Sequence, residues 1–168
     1  FVDSAAARER GGYLYASRGC ADCHGDNGAG RVFLDDGKGF RIAGSAIHSG
    51  PGSVVAGYRP EDWDRAIRHG VKPDGRPALV MPSEDYARMN DADFAALVAY
   101  IRSLPPGRGT IGEVRLPMML RVLYGVGVIK DAAEKIDHRL PPGAPIAVAQ
   151  TPEHGGYVAA MCVGCHGP

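Results

Sequence analysis

A Cys-x-x-Cys-His motif occurs twice in this chain, at residues 20–24 and again at residues 162–166. Two cysteines three residues apart can each form a thioether bond to one vinyl group of a haem, and the histidine that follows can then bind the iron. On a helix the three side chains lie on neighbouring positions of one face. Each copy therefore predicts a covalent haem c site, built from Cys20, Cys23 and His24 in the first copy and from Cys162, Cys165 and His166 in the second.

Other uses of a Cys-x-x-Cys pair explain the sequence less well. Zinc sites usually place their two cysteine pairs about 15–20 residues apart, whereas here almost the whole chain lies between the pairs. A thioredoxin-type redox pair would follow a strand, and no strand-like segment precedes either copy. Neither these sites nor structural disulfides account for the histidine after both pairs. The two copies contain all 4 cysteines of the chain.

Length and charge narrow the possible roles. The chain has 168 residues, which suits one ordinary domain or a small domain with part of another. Lys+Arg 19 balance Asp+Glu 19, so no basic excess indicates a nucleic-acid partner. No apolar run approaches the ~18 residues that a membrane-spanning helix requires. Because the chain begins at Phe1 without a leader, we expect a mature chain that has lost its signal peptide, or a shortened one.

Met81 is the predicted sixth ligand of the first haem iron. A turn-rich loop, with a turn signal at residues 73–75, leads to Met81 and Pro82. A thioether on the distal side stabilises ferrous iron and raises the potential, as expected for an electron carrier. Pro82 keeps Met81 out of helix geometry. Met89 is the nearest competitor, but it lies in a helix-like stretch just before a cap, and core filling is the usual role of a methionine.

The first predicted helix covers residues 5–17. Its alanines favour a helix, and Gly11 and Gly12 weaken that preference but allow another helix to cross closely. The glycine-rich stretch at 25–57 predicts a long irregular loop around the haem edge. We expect His48 in this loop to be solvated rather than a ligand, because His24 already has that role.

Helix-capping residues and helix-terminating Gly and Pro predict two further helices. One starts at Pro60 with acidic residues in its first turn and ends at Gly70. It carries Trp63, which either packs in the core or donates its indole N–H to a haem propionate. The other is capped by Asn90, stops before Pro105, and carries apolar side chains at helical spacing: Phe94, Leu97, Val98, Ile101 and Leu104. We expect this helix to cross the first one and close the haem pocket.

The chain changes character after Pro106. Residues 107–112 predict a linker, residues 116–129 are strongly apolar, and residues 140–145 form a proline-rich tether. The apolar stretch is too short to span a bilayer. It either packs on a neighbouring domain or forms a docking surface for a partner subunit.

The second motif repeats the context of the first. Gly-Gly-Tyr precedes both copies, at residues 11–13 and 155–157, which indicates two domains of one type. Because the sequence ends at Pro168, directly after the second motif, we expect the natural chain to continue. No residue is favoured as the distal ligand of a second haem; the candidates are Met161, Met118, Met119, His138 and His154.

Residues 11–106 resemble the cytochrome c subunit of bacterial membrane-bound dehydrogenases for alcohols, gluconate or sorbitol. The resemblance lies in these segments: Cys20–His24, Tyr58–Trp63, Arg68–Val71, Met81–Ser83 and Ala99–Pro105. The tail from His154 to Gly167 is similar to the start of that family's second haem domain. The resemblance implies several such domains and electron transfer from a dehydrogenase towards quinone or an oxidase.

Together these features predict an all-α class I cytochrome c domain at 1–104, a linker and apolar docking segment at 105–150, and the start of a second such domain at 151–168. The predicted function is one-electron transfer in the periplasm, at the outer face of the cytoplasmic membrane, between a dehydrogenase and an electron acceptor. One alternative is a dihaem peroxidase, whose catalytic haem needs an open iron position. Another is a zinc-bound interaction module.

Overall fold

A computed structural model of the chain describes residues 3–167, without the side chains of Val163 and Cys165. Helices and short strands follow in this order: α1 (Ala5–Ser17), α2 (Cys20–His24), β1 (Val32–Asp35), β2 (Arg41–Ala43), α3 (Pro60–His69), α4 (Ser83–Tyr86), α5 (Asp91–Ser103), β3 (Glu113–Arg115), α6 (Met118–Gly125), α7 (Ala132–Lys135), α8 (Pro152–Ala159), a 3-10 turn (Ala160–Cys162) and α9 (Val163–His166).

The described residues group into two units. The first unit contains the chain up to Tyr58 together with Ala95–Ile129, and the second contains Arg59–Phe94 together with the chain from Lys130 onwards. Helix α5 contributes residues to both units. The domain boundaries expected near residues 104 and 150 stay predictions.

In the first unit, α1 and α5 cross at Gly11. A Cβ atom on Gly11 would lie 2.0 Å from the carbonyl oxygen of Ala96 and 2.6 Å from the Cβ of Tyr100, so a larger residue does not fit without movement. The core around this crossing contains Leu14, Tyr15, Leu97, Val98, Ile101 and Leu104, all buried. The predicted close crossing of these two helices is confirmed.

A three-stranded antiparallel sheet in the order β1-β2-β3 completes the first unit. Arg41 on the central strand pairs with Asp35 on β1 and with Glu113 on β3, and the latter is 72 residues away in sequence. Asp36 accepts two backbone N–H groups within the β1–β2 turn. The expectation of an irregular loop at residues 25–57 and of an all-α chain is therefore not confirmed.

In the second unit, α3 starts at Pro60 and ends at Gly70 in the left-handed conformation (φ 65°), as predicted. Arg68 at its end is buried, and its Nη2 donates to the carbonyl of Met89 at 2.8 Å and to Asp91 at 2.8 Å. Its guanidinium also lies 4.2 Å from the ring centroid of Phe94. These contacts hold the start of α5 against α3.

The apolar stretch after β3 forms helix α6 and a following turn. None of the residues of α6 is buried. Within residues 3–167, no helix combines the length and the hydropathy needed to cross a membrane.

Candidate haem site

Helix α2 carries the first Cys-x-x-Cys-His motif. It follows Gly19, which has a left-handed backbone (φ 75°), and it ends at Gly25, whose N–H donates to the Ala21 carbonyl at 2.8 Å. The buried Tyr15 hydroxyl of α1 donates to the Gly25 carbonyl at 2.6 Å. Helix α1 therefore fixes the end of the motif at which His24 lies.

His24 has one ring nitrogen held by the backbone. Its Nδ1 lies 2.8 Å from the carbonyl oxygen of Ser45. Because a carbonyl only accepts, Nδ1 carries the proton and Nε2 keeps its lone pair. Burial lowers the pKa of His24 from its ordinary value, and the hydrogen bond to Ser45 only partly opposes this shift. The ring is thus a neutral imidazole, which is the form that binds a metal.

Gly44 brings Ser45 close enough to make this contact. A Cβ on Gly44 would lie 1.9 Å from the carbonyl oxygen of Cys23, so the two backbones meet where no side chain fits. The Gly44 N–H donates to the Arg31 carbonyl at 2.9 Å, and the Arg31 N–H donates to Cys23 at 3.1 Å. Sequence reasoning missed Ser45, because every residue type offers a carbonyl; the glycine before it is the available signal.

The two cysteines of this motif are half-buried, and neither forms a disulfide with another described residue. Burial raises the pKa of the Cys23 thiol above its ordinary value. Two thiols three residues apart, followed by a histidine, are the groups that a covalent haem requires.

Met81 lies on a loop of the second unit and is half-buried. The buried Ser83 anchors this loop to α3, because its Oγ donates to the Ala66 carbonyl at 3.2 Å. The Ser83 N–H also donates to the Met81 carbonyl at 2.8 Å. Pro82 between them has φ −78° and precedes α4, which leaves Met81 outside the helix as predicted.

Met89 and Trp63 have the burial of core residues. Met89 is 0% exposed, with its carbonyl bound by Arg68, so its thioether fills the core of the second unit. Trp63 on α3 is also buried, in line with a packing role. A hydrogen bond from its indole to a haem propionate stays a prediction.

The expectation of a solvated His48 is wrong. His48 is 1% exposed, and its Nδ1 accepts the Gly50 N–H at 2.9 Å. Its Nε2 has no hydrogen-bond partner among the described residues. Burial of this side chain depends on the fold of residues distant in sequence, which a lone histidine does not reveal.

The second motif lies in a local structure similar to the first. Helix α8 leads through a 3-10 turn to α9, as α1 leads to α2. Cys162 is a free, exposed thiol and His166 is exposed, whereas the side chain of Cys165 lies outside the described part of the chain. Two contacts within the second unit hold this segment. The Tyr157 hydroxyl donates to Asp93 at 2.9 Å, and the Gly164 N–H donates to Asp85 at 2.6 Å.

The donor set of the first motif fits a covalent haem. It offers a neutral imidazole whose Nε2 is free to bind iron, and two cysteine thiols outside any disulfide on the same short helix. Met81 offers a half-buried thioether, whereas Met89 does not.

Comparison with known proteins points to the same kind of site. Residues 6–101 match the family of cytochrome c oxidase, cbb3-type, subunit III. The chain is 31% identical over 138 residues to the fructose dehydrogenase cytochrome subunit of Gluconobacter japonicus, covering 74% of this chain and 27% of that protein. It is 28% identical over 138 residues to a diheme cytochrome c-type protein of Cereibacter sphaeroides, covering 74% of this chain and 46% of that protein.

A third relative is the cytochrome c subunit of the quinone alcohol dehydrogenase of Gluconacetobacter polyoxogenes. It is 26% identical over an alignment of 182 positions that covers 99% of this chain and 37% of that protein. The chain thus spans less than half the length of each of these three relatives. Their names confirm the predicted resemblance to cytochrome subunits of dehydrogenases and do not favour a peroxidase. The chain belongs to the family of c-type cytochrome domains that includes subunit III of cbb3-type cytochrome c oxidase.

Proposed function

We propose that this chain carries single electrons, as the cytochrome c part of a periplasmic dehydrogenase complex, towards quinone, an oxidase or another cytochrome. The observation that carries the proposal is the bond from His24 Nδ1 to the Ser45 carbonyl, which leaves Nε2 as an iron ligand. The same hydrogen bond fixes the tautomer and ring orientation that a metal-binding histidine requires, directly beside the two cysteines of the motif.

Each residue of the first site has a defined role in this proposal. Cys20 and Cys23 would attach the haem covalently, and His24 would bind its iron. Met81 would supply the second iron ligand; Pro82 and the Ser83 anchor hold it outside the helix. When bound, haem c supplies a one-electron couple whose potential a methionine ligand raises. If both side chains bind the iron, this haem would carry electrons rather than bind a substrate.

The second motif is proposed to bind a further haem c through Cys162, Cys165 and His166. Support comes from the repeated order of a helix, a short turn and a motif-bearing helix, and from the diheme relative. The hydrogen bonds from Tyr157 to Asp93 and from Gly164 to Asp85 hold this segment within the second unit. No described residue is favoured as its distal ligand.

The partners follow from the relatives. Because two of the named relatives are cytochrome subunits of dehydrogenases, we expect a dehydrogenase subunit as electron donor and a separate redox partner as acceptor. The proposed location is the periplasm, at the outer face of the cytoplasmic membrane.

A redox titration of the haem-loaded chain tests the proposed function. We expect a one-electron transition, and the Met81→Ala variant should keep its covalent haem but titrate at a lower potential. Met89→Leu is the matched control, because it alters a buried methionine of the same unit and should leave the potential unchanged. An unchanged potential in Met81→Ala would show that Met81 is not a ligand.

A further inference from the structure

Helix α6 exposes apolar side chains on one face. Met118 is 70% exposed, Met119 69%, Val122 53% and Val126 68%. At 3.6 residues per turn Met118, Met119 and Val122 lie on one face of α6, and Val126 follows at its C-cap; a surface helix usually places polar residues on its exposed face. The exposed apolar residues continue into the following turn with Val128. This set of five side chains is called the α6 face below.

The charged residues of this segment between Arg115 and Lys130 are all cationic. From Arg115 to Lys130 the chain contains no Asp or Glu, and Arg121 lies within the helix. Arg115 is paired with Glu113, whereas Arg121 and Lys130 form no ion pair among the described residues. An apolar face with unpaired cations beside it is complementary to an anionic phospholipid surface.

The backbone of this segment is suited to a less polar environment. The turn after α6 is closed by N–H groups of residues 126–129, which donate to carbonyls of the last helical turn at 2.9–3.2 Å. Gly127 has φ 76°, which permits the turn. Placing the α6 face in a membrane interface would therefore leave few backbone groups unpaired.

We propose that α6 and its turn lie in the interface of a membrane rich in anionic lipid, with the α6 face in contact with the acyl chains. The eight residues of α6 are far fewer than the roughly 20 that span a bilayer, so the helix lies along the surface. This contact rests on the extracytoplasmic location proposed above, but it does not depend on electron transfer.

Co-sedimentation of the haem-loaded chain with vesicles tests the proposal. We expect binding to vesicles of phosphatidylcholine with phosphatidylglycerol, weaker binding to phosphatidylcholine alone, and a loss of affinity as salt rises. The double variant Met118→Glu, Val122→Glu should bind roughly 100-fold more weakly, at about tenfold for each side chain. Arg121→Gln should weaken binding to the anionic vesicles by roughly fivefold.

Phe33→Glu is the matched control. Phe33 is 56% exposed on β1, outside the α6 face, so its variant should bind vesicles like the wild type. Retention of the haem spectrum and of helical circular dichroism shows that each variant is folded. Equal vesicle binding by the wild type and the double variant would overturn the proposal. So would a wild-type dimer in sedimentation velocity that the double variant converts to monomer, since a second copy would then cover this face.

Discussion

The crossing of α1 and α5 makes a quantitative prediction, because the repeated Gly-Gly pair provides an internal control. In Gly11→Ala the new Cβ would lie 2.0 Å from the Ala96 carbonyl oxygen, and both groups belong to helix backbones. The helices must move apart, and because the clash is with a backbone oxygen we expect the upper part of the usual overpacking cost, ~2–3 kcal/mol. Removing glycine from a helix interior regains ~1 kcal/mol. The variant should be destabilised by about 1–2 kcal/mol, which lowers Tm by roughly 2–8 °C.

The matched variant is Gly155→Ala in α8, the counterpart of Gly11 in the repeat. A Cβ at Gly155 would meet no described atom within 4 Å beyond its chain neighbours and its own helix backbone. This variant should therefore be neutral or gain up to ~1 kcal/mol from helix propensity. Urea unfolding of the haem-loaded proteins, followed by circular dichroism, measures both. Equal stability of wild type and Gly11→Ala, or an equal loss in the two variants, would refute the proposed helix crossing.

Three further predictions concern the motif segments. Gly44→Ala should lower the free energy of unfolding by about 1–3 kcal/mol and weaken the hydrogen bond between His24 and Ser45. In an acid titration this variant should lose histidine ligation at a higher pH than the wild type. Gly57→Ala, with open space around its Cβ, should show neither effect. Burial raises the pKa of Asp85 above 3.8. Its contribution to stability is therefore present at low pH and is lost as pH rises through that raised pKa. In Asp85→Asn the urea midpoint should change less with pH between about pH 4 and pH 7 than it does in the wild type. Tyr157→Phe removes the hydroxyl that binds Asp93 and should lower the free energy of unfolding by about 1–2 kcal/mol in the same assay. Tyr13→Phe, at the exposed equivalent position, should change it by less than ~0.5 kcal/mol. Equal losses in the two variants would contradict the role given to Tyr157.

Local signals predicted the helices well. Helix α1 covers the predicted residues 5–17, α3 begins at Pro60 and ends at Gly70, and α5 begins after its cap Asn90. Asn90 Oδ1 accepts the Asp93 N–H at 2.9 Å, as the cap requires. Caps, prolines and hydrophobic spacing determine helix boundaries through residues that are close in sequence, so these boundaries can be predicted from the sequence alone.

Long-range contacts were not predictable in the same way. The sheet joins β2 to β3 through Arg41 and Glu113, which are 72 residues apart, and three- or four-residue strands give too little alternation to recognise. The burial of His48 and the choice of Ser45 as the partner of His24 also depend on which backbone segments meet. Residue types alone identified the candidate ligands, whereas their orientation required the fold.

The ferric absorption spectrum of the haem-loaded chain tests most directly the central proposal, namely that His24 and Met81 would both be ligands of one haem iron. The account predicts low-spin iron with a far-red sulfur-to-iron band that disappears in Met81→Ala and persists in Met89→Leu. A wild-type spectrum of high-spin iron that binds cyanide rapidly would contradict it, because one axial position would then be open.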